Sequence, residues 1–382
     1  MHRRLHALSA HLAAPPAAEP RPTASGAAAS AVTNRRVALV ANPDGAPVPS
    51  DYEIVSEELP PLADGQMLLK TKYLSLDPYM RSEWMNSPRN IGSTVIGGTV
   101  SEVVESKSEG WAAGDLVVGY YGWEEYTIAT PDDRQWGLPN LGIEKWDPEL
   151  GAPSMALGVL GMTGYTAYEG LLNICAPQRG ETVVVSAASG AVGQVVGQLA
   201  RIAGCRVVGV AGGKAKCSYC VDELGFDVCV DYKAEGFGPQ SIAEACPQGI
   251  DVYFENVGGD VLEAVIPSLN EDARIPICGY IARYNVKDFI KNPDGNPMIR
   301  LKELGLPILG RKGATSGFTF FGWTGLIDRG EGQEVLSELS AQLKSGELKH
   351  LESVTHGLES AVPAFIGMLK GENFGKTIVA FD

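Results

Sequence analysis

The stretch from Thr182 to Gly197 constrains the fold of this chain more than any other. The apolar run Val183–Val185 predicts a buried strand, and the very small residues after it predict a tight turn. A second predicted strand, Cys205 to Val210, closes a βαβ unit within about 30 residues, as a dinucleotide-binding fold requires. The helix between the two strands carries an apolar stripe of Val192, Val195, Val196, Leu199 and Ile202.

The glycines of this turn have separate predicted roles. Gly190 would let the main chain approach a pyrophosphate, and Gly193 would let the helix pack close to the strand. The start of the helix offers free N–H groups and the positive end of its dipole to phosphate oxygens. Ala188 stands where the usual pattern has its first glycine, so a strand–turn–helix without a ligand is the alternative.

The end of the second predicted strand indicates which dinucleotide would bind. A site for NAD would place an acid about 20 residues after the glycines. Here the strand ends in Val210-Ala-Gly-Gly-Lys-Ala-Lys216, which has two lysines and no acid. A carboxylate about 4 Å from a phosphate would raise the free energy by roughly 4 kcal/mol at an effective dielectric constant near 20. A lysine at the same distance would instead attract the phosphate. We therefore predict NADPH, the alternative being that Lys214 and Lys216 are solvated residues that open a helix.

Composition argues against several functions. The net charge of −15 disfavours a nucleic-acid or anionic-membrane partner, and no apolar run approaches the ~20 residues of a membrane span. Residues 34–153 contain neither cysteine nor histidine, which argues against a catalytic zinc, so we predict no metal site. A Ser-His-Asp or Cys-His hydrolase also fails, because no base lies near a candidate nucleophile. The seven cysteines are predicted to be reduced thiols in a reducing compartment.

The first 33 residues differ from the rest. They are rich in alanine and proline, and they contain Arg3, Arg4 and Arg21 against one acid, Glu19. This composition is typical of an organelle transit peptide, mitochondrial or plastid, and not of a secretory signal. The alternative is a disordered extension of a cytoplasmic protein.

Periodicity predicts two kinds of structure after residue 33. Up to residue 153 the chain contains short strands broken by Gly, Pro and Asp, predicted at 37–41, 52–57, 67–76, 94–105 and 115–129. From residue 182 onward strands and helices alternate, which predicts a doubly wound parallel α/β sheet. Its strands are predicted at 182–187, 206–211, 227–231, 250–256, 273–279 and 314–320, with helices at 190–204, 215–224 and 260–269. Two more helices at 332–346 and 359–370 and a strand at 376–381 follow.

Residues 34–382 resemble the zinc-independent medium-chain reductases, the group that contains prostaglandin reductases, plant alkenal double-bond reductases and, most similar by eye, bacterial curcumin reductases. The segments that carry the resemblance occur in the family's order and are specific to it: Tyr73-Leu-Ser-Leu-Asp-Pro-Tyr-Met-Arg81, Leu160-Gly-Met-Thr-Gly-Tyr-Thr-Ala-Tyr168, Ala187-Ala-Ser-Gly-Ala-Val-Gly193, Glu255-Asn-Val-Gly-Gly259, Ile277-Cys-Gly279 with Tyr284-Asn285, and Met368-Leu-Lys-Gly-Glu-Asn-Phe-Gly-Lys376.

The resemblance implies a Rossmann NADPH-binding domain at 154–349 and a mainly β, GroES-like catalytic domain at 34–153 and 350–382. It also implies NADPH-dependent reduction of a carbon–carbon double bond conjugated to a carbonyl, with a small-molecule enone or alkenal as substrate and a homodimer as assembly. A quinone reductase of a neighbouring branch and a non-catalytic NADPH-binding protein are the alternatives, although a quinone reductase would lack the segment Leu76–Arg81 that this chain has.

The family's functional positions can be transferred residue by residue. The resemblance implies that the pyrophosphate lies on Gly190, Ala191, Val192 and Gly193, and that Lys216 and Tyr232 contact the adenosine 2′-phosphate. It assigns the nicotinamide half of the cofactor to Met162, Asn256, Cys278, Gly279, Tyr284, Phe318, Phe320 and Asn373.

Tyr284 is the first candidate for the group that donates a proton to the substrate carbonyl, because a phenol is protonated at neutral pH. Tyr79 is the second candidate, or else a wall of the substrate pocket. The cofactor ribose and water remain possible proton donors. The chain departs from the family at Thr163, where the family has a proline, and after Phe318, where aromatic residues replace an aliphatic run.

Overall fold

The computed structural model describes residues 32–81, 83–132, 142–286, 297–305 and 324–382. The extension predicted at 1–33 therefore lies outside the described residues except for its last two, and Thr33 already begins a strand. The chain forms two compact units. The first contains the residues up to Ser154, Val354–Ile366 and Ile378–Asp382, and the second contains Met155–Ser353 and Gly367–Thr377.

The described strands, in chain order, are β1 (Thr33–Leu39), β2 (Tyr52–Glu58), β3 (Met67–Leu76), β4 (Thr99–Ser106), β5 (Leu116–Gly119), β6 (Tyr126–Ala129), β7 (Glu144–Lys145), β8 (Thr182–Ser186), β9 (Arg206–Ala211), β10 (Val228–Asp231), β11 (Ile250–Phe254), β12 (Leu269–Arg274), β13 (Glu352–His356) and β14 (Lys376–Ala380). Strand β8 is buried throughout, whereas others, such as β2 and β7, are mostly exposed.

The described helices are mostly short, and most of them come after strand β8 in the chain. They are α1 (Glu83–Asn86), α2 (Met162–Tyr168), α3 (Gly193–Ile202), α4 (Lys214–Ser218), α5 (Pro239–Ala245), α6 (Gly259–Val265), α7 (Pro297–Glu303), α8 (Thr324–Asp328), α9 (Gly332–Ser345) and α10 (Ala361–Leu369). None of the helices in these parts of the chain is long and apolar enough to cross a membrane.

The first unit is mainly β, as predicted. Strands β1 and β2 form an antiparallel pair, and β3 lies in a seven-stranded sheet of order β13-β14-β3-β4-β5-β7, with β6 also paired to β3. The single strand predicted at 115–129 is wrong, because the chain leaves the sheet between β5 and β6. Gly122 turns it there with φ +152, where a side-chain carbon would lie 2.8 Å from the Val95 carbonyl oxygen.

An aromatic cluster shows why the first part of helix α10, up to Ile366, belongs to this first unit although it lies far along the chain. The Trp123 side chain is fully buried, and its ring lies 6.2 Å from the Tyr52 ring in a stacked arrangement. Phe365 of α10 meets the same indole edge-on, with 5.4 Å between ring centroids. Aromatic pairs of this geometry add to the free energy gained by burying their surface.

The second unit contains the predicted parallel sheet. Five strands lie in the order β10-β9-β8-β11-β12, and every described pair among them is parallel. Strand β8 is buried at all five positions, which explains its unbroken apolar sequence, since helices cover both faces of such sheets. This is the strand order of a doubly wound nucleotide-binding fold.

Two predicted strands of this sheet need comment. The strand predicted at 273–279 is displaced, because β12 ends at Arg274 and Pro276, which has no N–H to donate, interrupts the ladder. Beyond it, Ile277 makes only an isolated bridge with Glu255. The strand predicted at 314–320 lies outside the described residues.

The segment 350–382, predicted to belong wholly to the β domain, is divided between the units. Residues 350–353 and 367–377 group with the second unit. Buried glutamines of α3 hold the first of these segments: the Gln194 amide exchanges hydrogen bonds with the Leu351 backbone at 2.9 and 3.2 Å, and Gln198 does the same with Lys349 at 2.7 and 2.8 Å. Two polar side chains on the otherwise apolar face of α3 thus fix the position of Lys349 and Leu351.

Gly197 in the middle of α3 tests how tightly this unit is packed. A side-chain carbon at Gly197 would lie 1.9 Å from the Phe226 ring, which is itself only 2% exposed. Gly197→Ala should therefore lower the free energy of unfolding by about 1–3 kcal/mol, although alanine is the better helix former. Urea unfolding measures this change. In the double variant with Phe226→Leu, the loss should be smaller than the sum of the two single losses; additive losses would contradict the steric explanation.

Candidate functional site

The turn between β8 and α3 brings helix and strand as close as the sequence predicted. A side-chain carbon at Gly193 would lie 2.3 Å from the Ala187 carbonyl oxygen, and one at Gly190 would lie 3.0 Å from the same oxygen. The chain turns at Ala187, which has φ +50 and is one of two non-glycine residues described with positive φ. The helix begins at Gly193 and not at Gly190, so Gly190, Ala191 and Val192 form the turn itself.

A segment near the C-terminus holds this turn in place, which the sequence analysis did not anticipate. The Gly375 N–H donates to the Ser189 carbonyl oxygen at 3.1 Å, and Gly375 pairs with Gly190 in an isolated parallel bridge. The side-chain amide of Asn373 donates to the Gly375 carbonyl oxygen at 2.9 Å. Asn373 thus shapes a loop that contacts the glycine turn.

Lys216 and Tyr232 come together beside Gly212 and Gly371. Tyr232 follows β10, and its ring lies over Gly212, where any side-chain carbon would be 2.7 Å from the phenol oxygen. The Lys216 ammonium donates to the Gly371 carbonyl oxygen at 2.7 Å. A side-chain carbon at Gly371 would lie 3.6 Å from the Tyr232 oxygen, so the amine and the phenol face the same short loop.

The charge environment of Lys216 suits an anionic ligand. Burial, together with the charge of Lys233, lowers the pKa of the Lys216 amine. An acid does lie nearby in sequence, at the end of β10, and pattern reasoning missed it. However, one oxygen of Asp231 accepts the backbone N–H groups of Gly213 at 2.7 Å and Lys233 at 2.9 Å. This carboxylate thus ties the end of β10 to Gly213, the residue before α4.

These features fit the predicted cofactor. Glycine at 190 and 193 lets the turn and the start of α3 pack against the Ala187 carbonyl oxygen, the close packing that a pyrophosphate-binding turn needs. The start of a helix offers N–H groups to a pyrophosphate, and the half-buried Lys216 matches a second phosphate. The residues present can therefore hold an adenine dinucleotide phosphate.

The carboxyl ends of β8 and β11 are joined through Asn256 and Ser186. The Asn256 side-chain amide donates to the Ser186 carbonyl oxygen at 2.7 Å, and the Asn256 N–H donates to the Ser186 hydroxyl at 2.8 Å. Ligands of doubly wound sheets bind at these strand ends. The amide of Asn256 therefore stabilises the strand ends, whatever else it contacts.

Glu255 is the residue of this region that pattern reasoning quoted in a motif but assigned no role. It is fully buried, and its carboxyl accepts hydrogen bonds from the Val257 N–H at 2.5 Å, the Gly258 N–H at 2.9 Å and the Tyr253 hydroxyl at 3.0 Å. Burial raises its pKa, although these hydrogen bonds oppose the shift. The acid thus fixes the Asn256–Gly258 turn.

Tyr284, Cys278 and Gly279 lie beside this turn. The Cys278 N–H donates to the Glu255 carbonyl oxygen at 2.9 Å, and a side-chain carbon at Gly279 would lie 3.2 Å from the Tyr284 oxygen. The Tyr284 ring lies 5.4 Å from the Tyr280 ring. Burial raises the pKa of the Tyr284 phenol well above its usual range and that of the Cys278 thiol to about 12, so both stay protonated at neutral pH.

Met162 and Thr163 begin helix α2. Met162 is half-buried, whereas Thr163 is 4% exposed and its hydroxyl has no hydrogen-bond partner in the described part of the chain. A proline is well tolerated in the first turn of a helix, which explains how the family's residue fits this position. Replacement by threonine leaves a buried hydroxyl next to Met162.

Tyr79 lies in the first unit, on the turn Pro78–Arg81 after β3. Burial and the charge of Asp77 raise the pKa of its phenol. Arg81 anchors the turn by donating to the Asn86 side chain at 2.8 Å and to the Gly45 carbonyl oxygen. The predicted site residues Phe318 and Phe320 lie outside the described residues.

The comparisons with known proteins identify the family. Residues 35–136 match the N-terminal domain of oxidoreductase, and residues 191–303 match the family called zinc-binding dehydrogenase. The chain is 45% identical to the NADPH-dependent curcumin reductase of Escherichia coli, over 91% of this chain and 96% of that protein. It is 37% identical to the NADP(+)-dependent 2-alkenal reductase of Nicotiana tabacum, over 92% and 98%. This chain belongs to the medium-chain dehydrogenase/reductase family, in the group of the curcumin and alkenal reductases.

A solved structure supports the same assignment. The crystal structure of CurA from Vibrio vulnificus in complex with NADPH is 41% identical and has a TM-score of 0.78, covering 91% of this chain and 99% of that one. The expected fold, a Rossmann domain with a GroES-like β domain, is thereby confirmed. Among the described residues, no group of three or more His, Cys, Asp or Glu side chains could hold a metal ion, despite the zinc in the family's name.

The buried acid Glu255 predicts an unusual pH dependence of stability. Because its pKa is raised on folding, its contribution to stability is full below the ordinary pKa of about 4.5 and is lost as the pH rises through the folded value. Glu255→Gln keeps the shape and the acceptor oxygen but does not ionise. The stability of this variant relative to wild type should therefore rise between pH 5 and pH 8, as measured by urea unfolding.

Glu255→Ala is the matched control. It leaves the Val257 and Gly258 N–H groups buried without this acceptor, so it should be less stable than Glu255→Gln by about 2–4 kcal/mol at every pH, because neither variant ionises at this position. A wild-type and Glu255→Gln pair whose difference stays constant with pH would show that the carboxyl ionises normally in the folded protein.

Proposed function

We propose that this chain reduces the α,β carbon–carbon double bond of enones or alkenals with NADPH, without a metal. The observation that carries the proposal is the grouping of Lys216, Tyr232 and Gly212 at the end of β9, with no acid in the place that an NAD site requires. Two relatives support the proposal, since the E. coli curcumin reductase is named NADPH-dependent and the N. tabacum alkenal reductase is named NADP(+)-dependent.

We propose that the cofactor lies across the second unit from the glycine turn to the ends of β8 and β11. Gly190, Ala191, Val192 and Gly193 would hold the pyrophosphate, and Lys216 with Tyr232 would hold the 2′-phosphate. The nicotinamide half would lie against Met162, Asn256, Cys278, Gly279, Tyr284 and Asn373, with Phe318 and Phe320 as further candidates outside the described residues. NADPH supplies the hydride that the β-carbon of the substrate accepts.

The protein's task is then to stabilise the negative charge that develops on the substrate carbonyl oxygen. A preorganised donor does this best in a site that excludes water. We propose Tyr284 for this role, because its buried phenol stays protonated and lies over Gly279, next to the turn that Glu255 fixes. Tyr79 is the second candidate, since its phenol is also kept protonated by burial.

We further propose that the two compact units are the functional domains, with the second unit as the NADPH-binding domain. A homodimer and a targeting role for residues 1–33 stay predictions from the sequence and the family. Light scattering of the purified protein tests the first, and the position of a fluorescent protein fused after residue 33 tests the second.

The proposed reaction can be tested by following NADPH absorbance with a panel of alkenals, aryl enones, curcumin-like dienones and quinones. We expect consumption of NADPH with the enones and alkenals, and a saturated carbonyl compound as product. An alcohol as product, or turnover of quinones alone, would contradict the proposal. Tight NADPH binding without turnover on any acceptor would point to a non-catalytic role.

The choice between the two tyrosines is a separate prediction. Tyr284→Phe should lower kcat about 10- to 1,000-fold, the range expected when one donor to a developing oxyanion is lost. NADPH affinity should change much less, which fluorescence titration of the cofactor measures. Tyr79→Phe serves as the comparison: if it causes the larger loss of kcat, the proton-donating role passes to Tyr79.

A further inference from the structure

Lys233 lies beside the residues proposed to hold the 2′-phosphate, and no motif singled it out. It directly follows Tyr232, and its ammonium lies 5.9 Å from the centre of the Tyr232 ring. Its backbone N–H donates to an Asp231 side-chain oxygen at 2.9 Å, the same oxygen that accepts the Gly213 N–H. The backbone from which the Lys233 side chain extends is therefore held in place, next to Tyr232.

Two lysines close together repel each other unless an anion lies between them. The Lys216 ammonium donates to the Gly371 carbonyl oxygen at 2.7 Å, and no carboxylate in the described part of the chain forms a salt bridge with it. Lys233 contributes to the lowered pKa of Lys216, which means that each ammonium raises the free energy of the other. An arrangement that is unfavourable for the free protein becomes favourable when a group with two negative charges binds.

The chemistry of the ligand matches two cations better than one. A phosphate monoester has a second pKa near 6 and carries about −1.5 to −2 charges at pH 7. Lys216 alone leaves about half of this charge uncompensated, and the Tyr232 phenol contributes only a neutral hydrogen bond. The ammonium of Lys233, which lies above the phenol ring, would balance the remaining negative charge while staying in contact with water.

We propose that Lys233 is a second cationic residue of the 2′-phosphate subsite and that it contributes to the preference for NADPH over NADH. This inference rests on the proposed function, because it assumes that the adenosine end of the cofactor lies at Lys216 and Tyr232. It adds to the subsite a second residue of the segment that follows β10, next to Tyr232.

Adenosine 2′,5′-bisphosphate and adenosine 5′-monophosphate are the probes for this subsite, since they differ only in the 2′-phosphate. Calorimetric titration into the full chain should show that the wild type binds the bisphosphate more tightly. Lys233→Ala should weaken bisphosphate binding roughly three- to tenfold, a modest effect because the side chain is exposed and salt screens it. Binding of the monophosphate should not change, and Lys233→Arg should restore bisphosphate binding.

Lys344→Ala is the matched control, because Lys344 is an exposed lysine of the same unit on helix α9 and its removal changes the net charge equally. Its binding of both probes should equal that of the wild type. Unchanged bisphosphate binding in Lys233→Ala would overturn the role of Lys233 alone. A wild type that does not prefer the bisphosphate would overturn both this inference and the proposed NADPH specificity.

Kinetics provide a second readout that a purely structural role would not produce. In Lys233→Ala, kcat/KM for NADPH should fall by the same factor as bisphosphate binding, while kcat at saturating NADPH and kcat/KM for NADH stay unchanged. A parallel fall with both cofactors would show that Lys233 acts on the fold of the subsite and not on the phosphate.

Discussion

The contact between helix α3 and the turn before it governs the rest of the second unit. The space at Gly193 is closed by the Ala187 carbonyl oxygen, so the helix starts almost on top of the strand end. The N–H groups at the start of this helix are those that we propose to bind the pyrophosphate. The close packing also brings the buried face of α3 within reach of Lys349 and Leu351, which Gln194 and Gln198 bind. The chain that follows Leu351 then supplies the loop that contains Gly371 and Gly375.

The proposed 2′-phosphate subsite depends on local charge and on the loop that contains Gly371. The half-buried Lys216 ammonium donates to the Gly371 carbonyl oxygen, which offsets part of the cost of burying its charge. Asp231 lies at the end of β10, where its carboxylate accepts the backbone N–H groups of Gly213 and Lys233.

At the ends of β8 and β11 the structure depends on a buried acid, Glu255, which forms no salt bridge with a cation of the described residues. Glu255 is held by backbone N–H groups and hydroxyls, and its raised pKa is the consequence of that environment. The turn it fixes carries Asn256 on one side and supports Cys278 and Gly279 on the other. Rigid support of this kind suits a site in which a donor such as Tyr284 has to be in place before charge develops.

The amino-acid sequence alone determined the class of fold, the position of the βαβ unit and the glycine turn, because these follow from local periodicity and from the small size of the residues involved. The charge at the end of β9 could likewise be read from Lys216. The strand predicted at 273–279 was displaced, since the effect of Pro276 on a ladder depends on its neighbour strand. Only the tertiary structure showed which distant residues meet: the Gly371 carbonyl oxygen accepts the Lys216 ammonium, the Gly375 N–H donates to Ser189, and Asp231 accepts the Gly213 N–H. These contacts join residues far apart in the chain, and the periodicity and spacing of a single sequence do not record them.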